Sequence, residues 1–169
     1  MFPLSHLRED TFIAGLSMGG YGALINGLKY HQTFGYIGAL SAALLLDDFI
    51  QAKDGEDVPY IMKRSYLTSV FGDLTKLKGS DKDYKALIEK IDIQDVPAIY
   101  MTCGTEDSLL PHNRDYRDFL KAHHIPVTYE EGPGGHEWDF WDCYIQRVLE
   151  WLPINEKNEG LSSGHIEMD

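Results

Sequence analysis

The chain has 169 residues, of which 43% are hydrophobic and 25% charged, so its length suits one domain and its composition argues against intrinsic disorder. The formal net charge of −12 would repel phosphate backbones and anionic lipids, which argues against nucleic-acid and membrane binding. Two cysteines, Cys103 and Cys143, are too few for a disulfide framework, and we expect both to be buried free thiols. No apolar run is long enough to span a membrane and no signal peptide is visible, so we expect a cytoplasmic protein.

Four short apolar segments predict the strands of a mainly parallel sheet: residues 11–14, 34–42, 97–103 and 126–131. Continuous apolar runs are typical of strands that are covered on both faces, and the more polar fourth segment suits a strand near a sheet edge. Helical periodicity follows in residues 20–30, 111–124 and 137–152. Strands that alternate with helices predict an α/β fold with a parallel sheet flanked by helices.

Residues 43–95 interrupt this alternation, because they contain two short helical patterns, at 66–72 and 83–91, and no obvious strand. Two interpretations stay open. The segment is a helical insertion over the carboxyl end of the sheet, where a substrate would bind, or it is an ordinary crossover enlarged by loops. Residues 1–154 then form the domain, and the polar residues 155–169 form a loose tail.

Gly15-Leu16-Ser17-Met18-Gly19 is the most informative motif of the chain. It lies between a predicted strand and a predicted helix, the setting in which Gly-x-Ser-x-Gly forms a nucleophile elbow. In such a turn the serine has a strained backbone, and small residues on either side let the strand and helix pass each other. The same pentapeptide could be a glycine-rich turn with a helix-capping serine, so the interpretation needs a histidine and a carboxylate elsewhere.

Asp107 and His136 are the candidates for those two groups. A serine nucleophile needs a base to accept its proton and an acid to orient the base, and in this fold class their chain order is serine, acid, histidine. Asp107 follows the third predicted strand, and His136 follows the fourth in a glycine-rich loop. A helix-capping aspartate and a surface histidine are the structural alternatives, and Glu106 is the alternative acid.

The other candidate site residues have smaller roles. The backbone N–H of Met18 would be one donor to an oxyanion. Tyr21 and Trp138 could line a substrate pocket, although either could equally be a core aromatic. The remaining histidines show no metal-ligand spacing, so we expect no metal site.

Three segments resemble the esterase D family of α/β-hydrolases, most closely its tributyrin-esterase branch. Residues 11–23 are similar to the elbow of that family, residues 103–107 to its acid segment and residues 135–141 to its histidine segment. The resemblance extends from about Arg8 to about Pro153.

This resemblance implies a serine carboxylesterase that hydrolyses short-chain acyl esters without a cofactor. Ser17, Asp107 and His136 would form the catalytic triad, and Met18 would donate to the oxyanion. The wider family also suggests an S-formylglutathione-type thioesterase or an acetyl or feruloyl esterase.

One departure from the family sets the chain apart. The family's elbow follows about four strands, so the resemblance implies a partial α/β-hydrolase fold that lacks on the order of 100 residues before the elbow. The elbow strand would then be an apolar sheet edge, which a second copy or another partner could cover. A non-catalytic binding or assembly module is therefore the alternative function.

Overall fold

Four parallel strands form the central sheet of the computed structural model, which describes residues 5–154. In chain order they are β1 (Phe12–Leu16), β2 (Tyr36–Leu40), β3 (Ala98–Gly104) and β4 (Val127–Gly132). Their order in the sheet is the same, β1-β2-β3-β4, and each neighbouring pair is parallel. The carboxyl ends of all four strands therefore meet at one edge of the sheet. The predicted α/β class with a mainly parallel sheet is confirmed.

Six α-helices accompany the strands: α1 (Met18–Lys29), α2 (Leu46–Gln51), α3 (Arg64–Phe71), α4 (Tyr84–Ile88), α5 (Leu110–Ala122) and α6 (Trp138–Trp151). Short 3-10 turns lie at Arg8–Asp10, Tyr60–Met62, Leu74–Lys76 and Ile93–Asp95. All four predicted strands and the three predicted long helices are present, with only small shifts at their ends. The predicted loose tail, residues 155–169, lies outside the described residues.

The sheet separates two apolar clusters, because successive side chains of a strand point to opposite faces. On one face, Ile37 and Ala39 of β2 pack in the larger cluster with side chains of α1, α4 and α5. On the other face, Leu40 and Tyr100 pack against the buried side of α6. Both faces of β2 and β3 are therefore covered, which explains why their sequences are continuous apolar runs rather than alternating ones.

Residues 43–95 show features of both open interpretations. Residues around α2 and α3 contribute apolar side chains to a cavity beside Ser17, as an insertion over the sheet would. In contrast, α4 buries Leu87 and Ile88 in the larger core cluster, as a crossover helix would. The segment therefore covers the cavity beside Ser17 and also connects β2 to β3 through the core.

The cysteines differ in exposure. Cys103 in β3 is buried, as predicted, whereas Cys143 is exposed and the prediction for it is wrong. The helix α6 turns Trp141, Tyr144 and Val148 toward the sheet, and residue 143 lies on the opposite side of that helical turn. Among residues 5–154, no helix combines the length and the apolar character needed to cross a membrane.

Candidate active site

Ser17 occupies a strained turn between β1 and α1. Its backbone has φ 55° and ψ −119°, and a positive φ is uncommon for any residue other than glycine. Backbone hydrogen bonds hold this conformation on both sides. The Ser17 N–H donates to the Leu40 carbonyl at 2.9 Å, and the Ser17 carbonyl accepts from the Ala43 N–H at 3.0 Å. The turn expected from the pentapeptide motif is therefore present, and the end of β2 supports it.

Close approach of backbones explains two glycines of the motif region. A Cβ atom on Gly15 would collide with the carbonyl group of Gly19. A Cβ atom on Gly20 would lie only 3.0 Å from the Ala42 Cα, a separation tighter than ordinary van der Waals contact. In contrast, a Cβ atom on Gly19 would meet nothing within 4 Å. Close packing at the elbow therefore disfavours a side chain at Gly15 and Gly20 but not at Gly19.

The structure brings the three predicted triad side chains together in series. The His136 Nε2 atom lies 2.9 Å from Ser17 Oγ, and His136 Nδ1 lies 2.9 Å from Asp107 Oδ2. Both separations are hydrogen-bond distances. When Nδ1–H donates to the Asp107 carboxylate, the neutral Nε2 faces the serine hydroxyl as an acceptor. This arrangement can remove the proton from Ser17 Oγ.

Asp107 is a buried acid whose two oxygens have separate partners. Its side chain is 0% exposed, against 34% for His136. Asp107 Oδ1 accepts the Leu109 N–H at 2.8 Å, which leaves Oδ2 for the imidazole. Through its bond to the Leu109 N–H, Asp107 also caps its own turn, which is the role that the alternative interpretation of this residue predicted. The alternative acid, Glu106, accepts the Gly134 N–H at 3.2 Å instead.

The glycine-rich loop before His136 packs directly on the turn that carries the acid. The Thr105 N–H donates to the Gly132 carbonyl at 2.8 Å, and the Glu106 N–H donates to the Gly134 carbonyl at 3.1 Å. Gly134 has φ 125°, which a residue with a side chain rarely adopts. The loop backbone therefore fixes the distance between His136 and Asp107.

A cavity of about 260 Å³ opens beside Ser17 and His136. Its wall is formed mainly by apolar side chains of the 43–95 segment, among them Leu45, Phe49, Met62, Leu67, Val70 and Phe71. No Asp, Glu, Lys or Arg lines it within the described part of the chain. The cavity can therefore hold an uncharged, apolar group next to the serine hydroxyl.

Two other predicted site residues, Met18 and Tyr21, border this cavity. Met18 is the first residue of α1, so its N–H has no acceptor within the helix and is available to a ligand. Tyr21 lines the cavity, and its hydroxyl donates to the Lys82 carbonyl at 2.8 Å. Burial raises the pKa of Tyr21 well above its usual value, so the phenol stays neutral at physiological pH.

Trp138 neither lines this cavity nor lies in the core. Its side chain is 67% exposed and packs edge-to-face on Trp141, with ring centroids 5.3 Å apart. Trp138 begins α6, and the inner side of that helix is taken by Phe140 and Trp141. It therefore borders a separate hollow beside Ala14 and Leu40.

Sequence reasoning missed two buried polar side chains beside the site, Ser41 and Asn113, which are both 0% exposed. Asn113 interrupts the buried stripe of α5 that also contains Leu110, Tyr116 and Leu120. A polar residue on an apolar helix face is a signal that the sequence did offer, because buried amides need hydrogen-bond partners. Within residues 5–154, no group of three or more His, Cys, Asp or Glu side chains is placed to hold a metal ion.

Comparison with known proteins identifies the family of the chain. Residues 3–152 match the family model Esterase, described as "Putative esterase". An acetyl esterase of Caldicellulosiruptor saccharolyticus is 49% identical over 154 residues, which cover 90% of this chain and 58% of that protein.

Two solved structures from Staphylococcus aureus are also similar. The S-formylglutathione hydrolase has 32% identity and a TM-score of 0.74, over 90% of this chain and 57% of that one. The substrate-bound fluorophosphonate-binding serine hydrolase F has 32% identity and a TM-score of 0.75, over 89% of this chain and 57% of that one. The chain thus spans a little over half the length of these relatives. It belongs to the Esterase family and has the architecture of the α/β-hydrolase esterases.

Proposed function

We propose that the chain is a serine carboxylesterase of the esterase D family, close to its tributyrin-esterase branch, that hydrolyses short-chain acyl esters. The observation that supports this most strongly is the series of hydrogen bonds from Ser17 through His136 to Asp107, beside an apolar cavity. The acetyl esterase relative, at 49% identity, favours an ester of a small acyl group.

In the proposed reaction, Ser17 Oγ attacks the ester carbonyl carbon while His136 Nε2 takes the hydroxyl proton. Asp107 holds the ring proton on Nδ1 and stabilises the imidazolium that forms. The Met18 N–H donates to the oxygen that becomes negatively charged. The tetrahedral intermediate then expels the alcohol, which receives the proton from His136, and the acyl group remains on Ser17.

Water then hydrolyses the acyl-enzyme, again with His136 as the base. His136 takes a proton from a water molecule, which attacks the acyl carbon, and returns it to Ser17 Oγ as the carboxylic acid leaves. No step requires a metal or an organic cofactor.

The acyl group would occupy the apolar cavity. Each methylene group that moves from water into such a cavity contributes about 0.8 kcal/mol, or roughly fourfold in kcat/KM. We therefore expect kcat/KM to rise from p-nitrophenyl acetate to the propionate and butyrate by at most about this factor per carbon. An acyl group that carries a carboxylate would need a positively charged side chain beside it. Among the described residues, no Lys or Arg lines the cavity.

The test is the hydrolysis of p-nitrophenyl butyrate by the wild-type chain and by the Ser17→Ala variant. Loss of the hydroxyl should reduce kcat to the level of the buffer reaction, whereas a Ser69→Ala control should retain it. Ser69 is exposed on α3, and its hydroxyl donates to the Tyr66 carbonyl of the same helix. Equal rates for wild type and Ser17→Ala would reject the proposal.

Thioester hydrolysis is the alternative within enzymes, and the S-formylglutathione hydrolase neighbour favours it. A formyl group has no methylene to fill the apolar cavity, so the ester reaction suits the geometry better. Side-by-side kcat/KM values for p-nitrophenyl butyrate and S-formylglutathione separate the two.

A non-catalytic binding or assembly module is the second candidate function. In the sheet as described, β1 pairs with β2 on one side alone, and an assembly would use its other edge. A well-folded wild-type chain without activity above the Ser17→Ala background would support this candidate.

A further inference from the structure

We propose that residues 41–43, the turn that follows β2, position all three groups of the triad, through Asn113 on one side and Trp141 on the other. The inference rests on the proposed esterase function, because positioning affects a rate only if the three groups react. The turn hydrogen-bonds the Ser17 backbone directly. It reaches the acid through Asn113 of α5 and the base through Trp141 of α6.

The contact with the nucleophile is direct. The Ala43 N–H donates to the Ser17 carbonyl at 3.0 Å, and the Leu40 carbonyl just before the turn accepts the Ser17 N–H at 2.9 Å. The first turn of α1 also rests on it, since a Cβ atom on Gly20 would lie 3.1 Å from the Ala42 Cβ. A movement of this turn would therefore move the serine.

Asn113 links the same turn to the acid. Its Oδ1 accepts the Ala42 N–H at 3.2 Å, while its Nδ2 donates to the carbonyls of Ala42 and Leu109, both at 2.9 Å. The Leu109 N–H in turn donates to Asp107 Oδ1 at 2.8 Å. Because Asn113 is 0% exposed, these bonds compete with no solvent, and they fix the amide in one orientation.

Trp141 links the turn to the base. Its Nε1–H donates to Ser41 Oγ at 3.1 Å, and its ring stands at 90° to the His136 imidazole, with centroids 4.9 Å apart. Ser41 is fully buried and has φ 44°, a strained conformation for a residue other than glycine. That backbone aims the hydroxyl at the indole, so Ser41 and Trp141 together hold the ring against which His136 rests.

The first test uses two variants that break the Ser41 to Trp141 bond from either end. Ser41→Ala and Trp141→Phe should each lower kcat for p-nitrophenyl butyrate about tenfold, with little change in KM because neither residue lines the cavity. The double variant should be no slower than the slower single one, since both remove the same bond.

Trp151→Phe is the matched control. Trp151 is also an aromatic residue of α6, and it packs on Tyr36 and Tyr100 rather than on the imidazole. It should keep the wild-type kcat even if it unfolds at a lower urea concentration. A wild-type kcat in Ser41→Ala, or an equal loss in Trp151→Phe, would overturn the inference.

Asn113→Ala tests the link to the acid, with Tyr116→Phe as its control. Tyr116 lies one turn later in α5 and donates a buried hydrogen bond to the Tyr84 carbonyl at 3.3 Å, so its loss weakens the same helix. We expect about a tenfold loss of kcat only in Asn113→Ala. If that variant does not fold, Asn113→Ser replaces it. Equal losses in the Asn113 and Tyr116 variants would contradict positioning.

An NMR measurement separates failure of this inference from failure of the esterase proposal. The His136 Cε1–H cross-peak, assigned by its absence in His136→Gln, senses the ring current of Trp141 whether or not the chain is active. It should shift in Ser41→Ala and stay in place in Trp151→Phe. An unchanged cross-peak in Ser41→Ala would reject the inference, even if the wild-type enzyme is active. A wild-type chain that is inactive would reject the esterase proposal instead.

Discussion

Replacing Asp107 by Asn changes the charge of the acid at constant size. In the wild-type site, Oδ1 accepts the Leu109 N–H at 2.8 Å and Oδ2 faces His136 Nδ1 at 2.9 Å. The amide oxygen of the variant can keep the bond to Leu109, which turns its NH₂ group toward the imidazole. Nδ1 must then accept, so the ring proton moves to Nε2 and the proton of Ser17 has no acceptor.

The size of this effect follows from the wrong tautomer. A triad held in that state loses about 10⁴ in kcat, which corresponds to about 5.4 kcal/mol of transition-state stabilisation. We expect this loss in Asp107→Asn, with KM nearly unchanged because Asp107 does not line the cavity. Initial rates with p-nitrophenyl butyrate at neutral pH measure it, against Ser17→Ala as the background.

Glu106→Gln is the control for this experiment. Glu106 is the adjacent carboxylate and accepts the Gly134 N–H at 3.2 Å, a bond that an amide oxygen can replace. Its kcat should stay within about threefold of the wild-type value, as expected of an exposed surface substitution. Asp107 is not the acid that orients His136 if Asp107→Asn retains more than about a tenth of the wild-type kcat, or if Glu106→Gln loses as much.

Two further predictions concern stability and thiol chemistry. Gly15→Ala should lower the urea midpoint by the equivalent of about 1–3 kcal/mol, because its Cβ would collide with backbone, whereas Gly19→Ala should be neutral or stabilise by up to about 1 kcal/mol. Equal midpoints for the two variants would contradict this. In the folded chain at pH 8, iodoacetamide should modify exposed Cys143 and spare Cys103, because burial and the nearby charge of Asp107 raise the pKa of the Cys103 thiol to about 12. Mass spectrometry should find one adduct before unfolding in urea and two after it, and two adducts on the native chain would show that Cys103 is accessible.

The sequence predicted the arrangement of the site because its signals are local. Ser17, Asp107 and His136 each follow a predicted strand after only a few residues. Parallel strands bring their carboxyl ends to one edge of the sheet, so groups that follow different strands can meet there. Identifying the strands was therefore enough to predict that the three side chains would lie together.

The errors concern how α6 is rotated about its axis. Trp138 was expected to line the substrate pocket or to lie in the core, and Cys143 was expected to be buried. The structure instead buries Phe140, Trp141 and Tyr144 and leaves Trp138 exposed. Aromatic residues occur on both sides of this helix, so periodicity alone does not determine which side faces the sheet. The packing of α6 on Leu40 and Tyr100 determines it.

The links through Ser41 and Asn113 could not be predicted for a different reason. Each depends on contacts between residues that are distant in the chain, such as Asn113 with Ala42 and Trp141 with Ser41. Neither residue belongs to a motif. Only the polar interruption of the apolar face of α5 marked Asn113 as unusual, and it did not indicate which partners the amide would find.

If His136 and Asp107 act on Ser17 as proposed, the Ser17 hydroxyl is an activated nucleophile. Treatment of the wild-type chain with a fluorophosphonate probe, followed by peptide mapping, tests this most directly. We expect one phosphonyl adduct, on the peptide that contains Ser17, and its absence in Ser17→Ala. An unlabelled folded wild-type chain, or an adduct that persists in Ser17→Ala, would contradict it.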